Sequence, residues 1–353
     1  MKLLFINSSR VRFTMETPER EPLGGSESAV AYLARALAAR SHDVTLMARL
    51  PDGAQQRIAG IRHAPLELAQ DAGFFTGFDA VIALSAPQAA AHLKQLAPGA
   101  LHVAWLHLPP APAVRDLILR HSADLDRCVF VSAVQRDAVG FSGRNHVIGN
   151  GIAPSFENMF ASASQLRAAK QNSAAYASVP DRGLDVLAQV IAASRLDTTF
   201  DIYSSMRIYQ LPQDPFAPLY ARLGTMPNCR YHGAVGQAAL AGALGSAAFL
   251  AYPCTVGETY GIVVQEAMAA GLKVITTDLG NLRHTTMGFA DIVPPGDIAR
   301  FTSALEQAVA DFQNRPEEWA QARFDQMQVI NRECTWAVRA REWEEYLARE
   351  LRG

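Results

Sequence analysis

Residues 248–278 read AFLAYPCTVGETYGIVVQEAMAAGLKVITTD, and this stretch decides how the chain folds. Ala248–Tyr252 and Lys273–Thr276 are short apolar runs of the kind that form buried strands, while Tyr260–Ala270 has the length and composition of a helix. Continuous apolar strands that alternate with helices are typical of a parallel sheet covered on both faces. The stretch therefore predicts an α/β fold.

The same alternation extends along the whole chain. In the first half we expect strands at Leu3–Asn7, Val44–Ala48, Ala80–Leu84, Val103–Leu106 and Cys128–Ser132. Helical patterns lie between them at Ser26–Arg40, Ala86–Gln95 and Ala113–His121. In the second half, further strands are expected at Ala174–Ala177, Phe200–Tyr203 and Asp291–Val293, with helices at Gly183–Ser194, Gln237–Leu244 and Asp297–Phe312. The pattern predicts two doubly wound parallel sheets.

A break in this rhythm marks the expected boundary between two domains. Residues 150–154, NGIAP, carry turn signals, and the polar, alanine-rich stretch that follows extends to Gln171. With 353 residues, the chain fits two domains of ~150–200 residues each better than a single core. We predict an N-terminal domain over 1–153, joined by a C-terminal helix over 336–353, and a second domain over 154–335. Ligands of such sheets bind beyond the carboxyl ends of the strands, so a cleft between the domains is the expected site.

Composition excludes several classes of function. The formal net charge of −2 argues against a nucleic-acid-binding protein, although a local basic patch for weak contact with a membrane surface stays open. The four cysteines are far apart, so their spacing predicts neither a zinc site nor a disulfide framework, and a reducing compartment is expected. The apolar run Leu3–Ile6 is too short for a secretory signal. We therefore expect a cytoplasmic protein, peripheral to the inner face of the membrane at most.

The loop and helix within 248–278 carry the strongest chemical signal. A helix that begins after a strand exposes free backbone N–H groups and the positive end of its dipole, which favours a phosphate. Glu258 in the loop can accept hydrogen bonds from a sugar, and Glu266, two turns into the helix, can accept the hydroxyls of a ribose. The alternatives are an acid that complements the helix dipole and a solvent-facing helix residue. The candidate donor-binding residues of this segment are Glu258, Thr259, Tyr260, Gly261, Ile262 and Glu266.

Two further segments have the features of phosphate-binding turns. Gly24 and Gly25 precede a helix start at which Ser26 is the expected cap, although a simple capped helix is the alternative. In the segment YASVPDRGL, residues 176–184, Arg182 stands at the start of a helix after a strand. A fixed guanidinium there can bind a pyrophosphate and offset the charge of a leaving nucleoside diphosphate. The alternative for Arg182 is a surface residue at a helix N-terminus.

His107 is the remaining candidate catalytic residue. It follows the apolar run Val103–Leu106, so it should lie at the carboxyl edge of the first sheet. A neutral imidazole at this edge can donate a hydrogen bond to a sugar. Single histidines are more often structural, and that reading is the alternative.

These motifs together resemble the retaining glycosyltransferases of GT-B architecture, in particular their family 4. The resemblance rests on two glutamates eight positions apart, Glu258 and Glu266, the second of which begins the motif EAMAAG. It is densest over 24–40, 148–153, 176–187 and 246–285. It implies two Rossmann-like domains that face a cleft, with the acceptor on the first and the nucleotide sugar on the second. It also implies that Gly24 and Gly25 face the diphosphate, that His107 lies by the anomeric carbon, and that the nucleotide lies near Ser204 and Val235. The family usually has a second basic residue where this chain has Tyr176.

The expected activity is transfer of a sugar from a nucleoside diphosphate sugar to an acceptor hydroxyl, with His107, Arg182 and Glu258 as the catalytic residues. The resemblance implies retention by front-face displacement. No D-x-D motif follows an apolar strand, so neither a metal nor another cofactor is expected. The acceptor class stays open among saccharides, lipid-linked saccharides and small molecules. The alternatives are a catalytically silent nucleotide-sugar-binding protein, an epimerase, or a phosphorylase, which would require a Schiff-base lysine at Lys170 or Lys273.

Overall fold

The computed structural model describes residues 1–109, 111–211 and 213–352. These residues form two compact units. The first unit comprises Met1–Pro18, Leu23–Gly151 and Trp336–Gly353, and the second comprises Glu19–Pro22 and Ile152–Thr335. The chain therefore leaves the first unit at Gly151 and returns to it at Trp336.

The described part of the first unit contains one eight-stranded sheet. Its strands are β1 Lys2–Ile6, β2 Asp43–Ala48, β3 Gln56–Ile58, β4 Ile61–Pro65, β5 Ala80–Leu84, β6 Leu101–Leu106, β7 Arg127–Phe130 and β8 Asn145–Val147. They lie in the order β3-β4-β2-β1-β5-β6-β7-β8. All neighbours are parallel except β3 and β4, which pair in antiparallel register. The order of the strands along the sheet reverses between β1 and β5.

The helices that accompany this sheet come from two parts of the chain, one before Gly151 and one after Thr335. Those that precede Gly151 are α1 Thr17–Arg20, α2 Gly25–Ala39, α3 Ala90–Leu96, α4 Pro112–Arg120 and α5 Ala133–Val139. The last helix of the chain is labelled α14 below and spans Trp336–Glu350. It packs on α2, where the rings of Tyr32 and Trp336 stack with their centres 6.3 Å apart.

The second unit contains a six-stranded, fully parallel sheet in its described residues. Its strands are β9 Gln171–Ala177, β10 Thr199–Tyr203, β11 Cys229–Tyr231, β12 Ala247–Tyr252, β13 Lys273–Thr277 and β14 Asp291–Val293. They lie in the order β11-β10-β9-β12-β13-β14, so the direction of winding reverses between β9 and β12. Its helices are α6 Ala163–Ala169, α7 Leu184–Ala193, α8 Ala217–Gly224, α9 Gln237–Ser246, α10 Ile262–Ala269, α11 Leu282–Thr285, α12 Ile298–Asn314 and α13 Pro316–Glu333.

The central strands show why the apolar runs of the sequence fold in this way. Every residue of β5 and every residue of β12 is buried, as expected for strands covered on both faces. Phe249 in β12 packs edge-to-face against Phe312 of α12 and Trp319 of α13. Each unit thus has its own apolar core around a parallel sheet.

The predicted α/β class and the two doubly wound sheets are confirmed. The sequence pattern did not indicate the short strands β3, β4, β8 and β11, each of three to five residues. It also did not indicate the helices α1, α5, α6, α8, α11 and α13. Of the helices that the structure describes, none combines the length and the hydropathy that a membrane span requires.

Candidate functional site

The candidate site of the second unit lies at the point where the sheet changes its direction of winding. Loops that follow neighbouring strands diverge at such a point and leave a crevice beyond the carboxyl ends of the strands. The loop after β9 ends with Arg182, and the loop after β12 contains Glu258. Two of the residues singled out in the sequence are therefore delivered to one place by adjacent strands.

Arg182 and Glu258 form an ion pair there. Nη1 of Arg182 lies 3.0 Å from Oε1 of Glu258, and the hydroxyl of Tyr252 donates a 2.5 Å hydrogen bond to the same oxygen. The two charged side chains are 24% and 13% exposed, so they are partly shielded but open to solvent on one side. The guanidinium has five N–H donors, and one carboxylate oxygen cannot engage them all.

Two glycines allow the loops to approach each other. Gly183, directly after Arg182, has φ +102°, and a Cβ at this position would lie 2.1 Å from the carbonyl oxygen of Pro253. Gly280, after β13, has φ +60°, and its Cβ would lie 2.1 Å from the carbonyl oxygen of Glu258. Glu258 and Gly280 also pair in a short parallel bridge. Side chains other than hydrogen would push these loops apart and separate the charged groups.

The electrostatic setting favours a permanent cation at this edge. Burial is the largest single influence on the pKa of Arg182 and lowers it, but the charge of Glu258 together with smaller contributions from Tyr252, Cys254 and Tyr209 raises the pKa overall. The nearby Cys254 is not a candidate nucleophile, because burial raises the pKa of its thiol to about 11 and keeps it protonated. The arrangement therefore supplies positive charge and hydrogen-bond donors rather than covalent catalysis.

The segment after Glu258 leads directly into a helix N-terminus. Thr259, Tyr260 and Gly261 complete the loop, and α10 begins at Ile262. The carbonyl of Tyr260 accepts a hydrogen bond from the hydroxyl of Thr285, which fixes the loop to α11. The first N–H groups of α10 have no acceptor within the helix, as at any helix start, and they follow Glu258 closely in the sequence.

Glu266 is not part of this cluster. It is 3% exposed, and its Oε1 accepts a 3.3 Å hydrogen bond from the N–H of Ala153. Burial raises the pKa of Glu266 to about 7, while hydrogen bonds from Ala153 and the side chain of Gln237 act in the opposite direction. The structure thus places this carboxylate against the first residues of the second unit.

Tyr176 occupies the position where the resembled family usually has a second basic residue. Its ring lies in β9 with no exposed surface, 5.9 Å from the ring of Tyr252. Its hydroxyl donates a 2.8 Å hydrogen bond to the carbonyl of Val179, three residues before Arg182. Tyr176 therefore anchors the loop that carries the guanidinium, and its raised pKa, caused by burial, keeps it neutral.

Ser204 and Val235 lie after the next two strands of the same sheet edge. Ser204 follows β10 and is 1% exposed, and its carbonyl accepts a 2.8 Å hydrogen bond from the hydroxyl of Tyr231. Val235 is half-buried in the turn before α9. Beside them, the rings of Tyr203 and His232 stack with their centres 4.6 Å apart. Along the carboxyl edge of this sheet, the Tyr203–His232 stack thus follows the loops that carry Arg182 and Glu258.

The remaining predicted residues belong to the first unit. Gly24 is the N-cap of α2, its carbonyl accepts a hydrogen bond from the N–H of Ser28, and no side chain caps this helix. The expectation that Ser26 is the cap is wrong, because the helical backbone already begins at Gly25, which places Ser26 inside the first turn. The glycine pair nevertheless stands at a helix start, as the pattern predicted.

His107 directly follows β6 at the carboxyl edge of the first sheet. Its N–H donates a 3.0 Å hydrogen bond to the hydroxyl of Ser85, which follows the neighbouring strand β5, and its ring packs edge-on against Trp105. Burial lowers the pKa of His107 to about 3, so the imidazole is neutral. Its Nε2 is buried and has no hydrogen-bond partner among the described residues. That unpaired nitrogen is the strongest sign in the structure that this histidine meets a ligand.

Tyr252 is the contributor to the site that the sequence pattern did not indicate, whereas Asn281 lies in the segment that the resemblance places at the border of the donor site. Tyr252 bonds Glu258, and the backbone N–H of Asn281 donates a 2.8 Å hydrogen bond to the carbonyl of Glu258. The signal for Tyr252 was its place as the last residue of an apolar strand before the loop. In the described residues, no group of three or more His, Cys, Asp or Glu side chains is arranged to hold a metal ion.

Comparison with known proteins gives a family match over part of the second unit. Residues 174–311 match the family described as Glycosyl transferases group 1. Over 84 residues the chain is 38% identical to the phosphatidyl-myo-inositol mannosyltransferase of Mycobacterium leprae, a match that covers 23% of this chain and 22% of that protein. The chain thus spans less than a quarter of that relative's length.

Solved structures resemble the whole chain. Sucrose-phosphate synthase from Thermosynechococcus elongatus superposes with a TM-score of 0.76 at 16% identity, over 99% of both chains. Anabaena HepE, solved in complex with UDP-glucose, superposes with a TM-score of 0.72 at 15% identity, again over 99% of both chains. At such identities the likeness establishes the fold alone. The chain therefore has the GT-B glycosyltransferase fold, and its residues 174–311 match the Glycosyl transferases group 1 family.

Proposed function

We propose that this protein is a glycosyltransferase that moves a sugar from a nucleoside diphosphate sugar to an acceptor hydroxyl. The observation that carries the proposal is the Arg182–Glu258 pair at the switch point of the six-stranded sheet, beside the start of α10. A cation and free backbone N–H groups at one sheet edge suit a diphosphate. The match of residues 174–311 to a glycosyltransferase family supports the same activity.

In this proposal the second unit is the donor domain. Arg182 and the N–H groups of residues 259–262 bind the diphosphate, and the aromatic edge near Ser204 and Val235 receives the base. Both contacts described for the Glu258 carboxylate use Oε1, and we assign Oε2 to a hydroxyl of the donor sugar. The ribose is assigned to Glu266, which requires the carboxylate to exchange its contact with Ala153 for the ribose hydroxyls.

The first unit, in place of the predicted domain 1–153 with the helix 336–353, is proposed as the acceptor domain. His107 would meet the sugar next to its anomeric carbon, because its neutral imidazole retains an unpaired buried nitrogen. Gly24, Gly25 and Ser26 would approach the diphosphate through the start of α2. The acceptor is a saccharide, a lipid-linked saccharide or a small molecule with a free hydroxyl.

The proposed reaction retains the configuration of the anomeric carbon and needs no metal. The bond between this carbon and the diphosphate oxygen breaks as the acceptor oxygen attacks the same face, and the departing phosphate oxygen takes the acceptor proton. Arg182 and the start of α10 offset the negative charge that develops on the leaving group. Glu258, Tyr252 and Tyr176 hold the guanidinium in place, so the protein contributes position and charge.

The phosphorylase alternative fits the residues less well. A phosphorylase with a Schiff-base lysine would need a free amine at Lys170 or Lys273. Nζ of Lys170 donates to the carbonyls of Leu244 and Ala270, and Nζ of Lys273 lies 2.7 Å from Asp291. Both amines are thus engaged in the structure. A catalytically silent nucleotide-sugar-binding protein would retain the same donor contacts and differs only in turnover.

A binding screen followed by product analysis tests the proposal. Thermal unfolding is measured with UDP, GDP and their glucose and mannose conjugates, and the stabilising donor is then incubated with candidate acceptors. We expect stabilisation by one diphosphate series and a product whose anomeric configuration, read by NMR, equals that of the donor. Stabilisation without transfer to any acceptor would favour the silent binder. Loss of transfer with EDTA would overturn the metal-free mechanism, and an inverted product would overturn retention.

A further inference from the structure

A second cavity lies at the opposite edge of the six-stranded sheet. It has a volume of about 200 Å³ and is lined by side chains from α12, α13 and the first residue of β13. The lining residues that matter here are Lys273, Asp311, Arg315, Glu318, Trp319 and Arg323. Lys273 begins β13, whereas the Arg182–Glu258 pair lies beyond the other ends of these parallel strands. The cavity is therefore separate from the candidate donor site.

Arg323 is the unusual member of this lining. It is only 9% exposed, and its Nε and Nη1 are buried without a hydrogen-bond partner among the described residues. Burial lowers its pKa, and the more distant charge of Asp291 opposes this only in part. A buried guanidinium without a bonded counterion is costly, and proteins rarely retain one unless something pairs with it.

Trp319, which also lines this cavity, carries a second unpaired donor. The indole Nε1 of Trp319 is also buried without a partner among the described residues. Its ring is fixed edge-on against Phe312, with the ring centres 4.9 Å apart, so the donor is held in place. Two fixed donors on one helix, four residues apart, both lack an acceptor.

The other cations around the cavity already have partners. Lys273 lies 2.7 Å from Asp291, and Arg315 forms an ion pair with Asp311. Glu318 lies 3.9 Å from Arg315 with 77% of its side chain exposed, so it faces water. Arg323 is therefore the cation of this lining to which no carboxylate is bonded among the described residues, and an entering anion would supply a hydrogen-bond acceptor.

We propose that this cavity binds a phosphate group, either inorganic phosphate or the phosphate of a small phosphate ester. Arg323 is the buried cationic contact, the N–H of Trp319 is a neutral donor, and Arg315 closes the rim. The site is independent of nucleotide-sugar binding, because it lies at the amino edge of the sheet and uses none of the residues assigned to the donor.

Calorimetric titration of the full chain with inorganic phosphate, and separately with glycerol phosphate, tests this site. The wild type is compared with Arg323→Met, with Arg182→Met in the candidate donor site, and with Arg332→Met, an exposed arginine on the same helix. We expect Arg323→Met to weaken phosphate binding at least about tenfold and the other two variants to retain it. Stronger binding of glycerol phosphate than of phosphate would identify an ester as the ligand.

Fluorescence gives a readout that does not depend on activity. Of the four tryptophans, Trp319 alone belongs to the second unit, so phosphate at this cavity should change an emission component that Trp319→Phe removes. Arg323→Met should fold, because it replaces an uncompensated buried charge with an apolar chain of similar length. Absence of binding in the wild type, or binding lost in Arg182→Met and kept in Arg323→Met, would overturn the proposal.

Discussion

Arg182 combines a fixed position with unused donor capacity, and this makes it the residue on which donor binding should depend most. Glu258 holds it at 3.0 Å and the neighbouring Asp181 lies 4.0 Å from its Nε, while 24% of its side chain stays exposed at the sheet edge. Replacing Arg182 with Met should weaken binding of a nucleoside diphosphate about 10- to 100-fold, because a charge-assisted contact to phosphate is lost. Calorimetry with UDP and GDP measures the change.

Two comparisons separate this effect from a general loss of charge. Arg222→Met removes an exposed arginine on α8 and should leave the affinity unchanged. Arg182→Lys should recover part of the affinity, because an ammonium keeps the charge but lacks the planar fork. If Arg182→Met binds the diphosphate as tightly as the wild type, the guanidinium is not the phosphate ligand.

Glu266 gives the second unit a pH-dependent stability. Burial raises the pKa of its carboxyl to about 7, compared with 4.5 when it is unperturbed. The folded state thus binds this proton more tightly than the unfolded state, and stability falls as the pH rises from about 4.5 through about 7. The difference in pKa corresponds to about 3 kcal/mol of unfolding free energy. Glu266→Gln removes this ionisation. The unfolding free energy of the variant, taken relative to that of the wild type, should therefore be greater above pH 7 than at pH 5.

Unfolding measured at pH 5, 6 and 7.5 checks this expectation. The matched control is Glu317→Gln, an exposed glutamate on α13, which should follow the wild-type pH dependence. A Glu266→Gln curve that runs parallel to the wild-type curve across this range would mean that the carboxyl titrates normally in the fold.

At the scale of elements, the close approach of the loops after β12 and β13 depends on Gly280. A Cβ at Gly280 would lie 2.1 Å from the carbonyl of Glu258, in a backbone conformation with φ +60°. Gly280→Ala should therefore cost more than the conformational penalty of about 1 kcal/mol, and we expect at least about 2 kcal/mol in unfolding free energy together with weaker diphosphate binding.

Gly288 provides the matched control for this loop. It has φ +83°, yet a Cβ there meets no atom within 4 Å. Gly288→Ala should thus show the conformational penalty alone, about 1 kcal/mol, with unchanged affinity. Equal losses in the two variants, measured by denaturant unfolding, would show that the contact with Glu258 does not matter.

The elements also show where sequence reasoning succeeds. The long apolar strands and their helices were predictable because burial on both faces leaves a continuous run of apolar residues, as in β5 and β12. The edge strands β8 and β11 were not, because Asn145–Val147 and Cys229–Tyr231 are short and partly exposed. Local pattern likewise could not reveal that Tyr252 bonds Glu258, since that contact depends on where a loop turns back. The contact between Glu266 and Ala153 joins residues 113 positions apart, so no local sequence pattern could predict it.

At the scale of the whole molecule, the second unit is inserted between two parts of the first. The sheet of the first unit is built from residues before Gly151, but its core is completed by α14 from the other end of the chain. Trp343 of this helix has no exposed surface and packs edge-on against Trp105 of β6, with ring centres 5.2 Å apart. The ion pair of Arg127 and Glu350, at 2.6 Å, fastens the end of the same helix to β7. The stability of the first unit therefore depends on residues that follow the second unit in the sequence.

Trp343→Ala tests this dependence against the second unit. Deleting the buried indole should cost the first unit about 3–5 kcal/mol, because it removes apolar burial and leaves a cavity. Trp319→Ala makes the equivalent change in the second unit, where the indole packs against Phe249 and Phe312. In calorimetric scans with and without the stabilising nucleotide, we expect Trp343→Ala to lower a transition that the nucleotide does not shift, and Trp319→Ala to lower the one that it does. A single transition, moved equally by both substitutions and by the nucleotide, would mean that the two cores unfold as one.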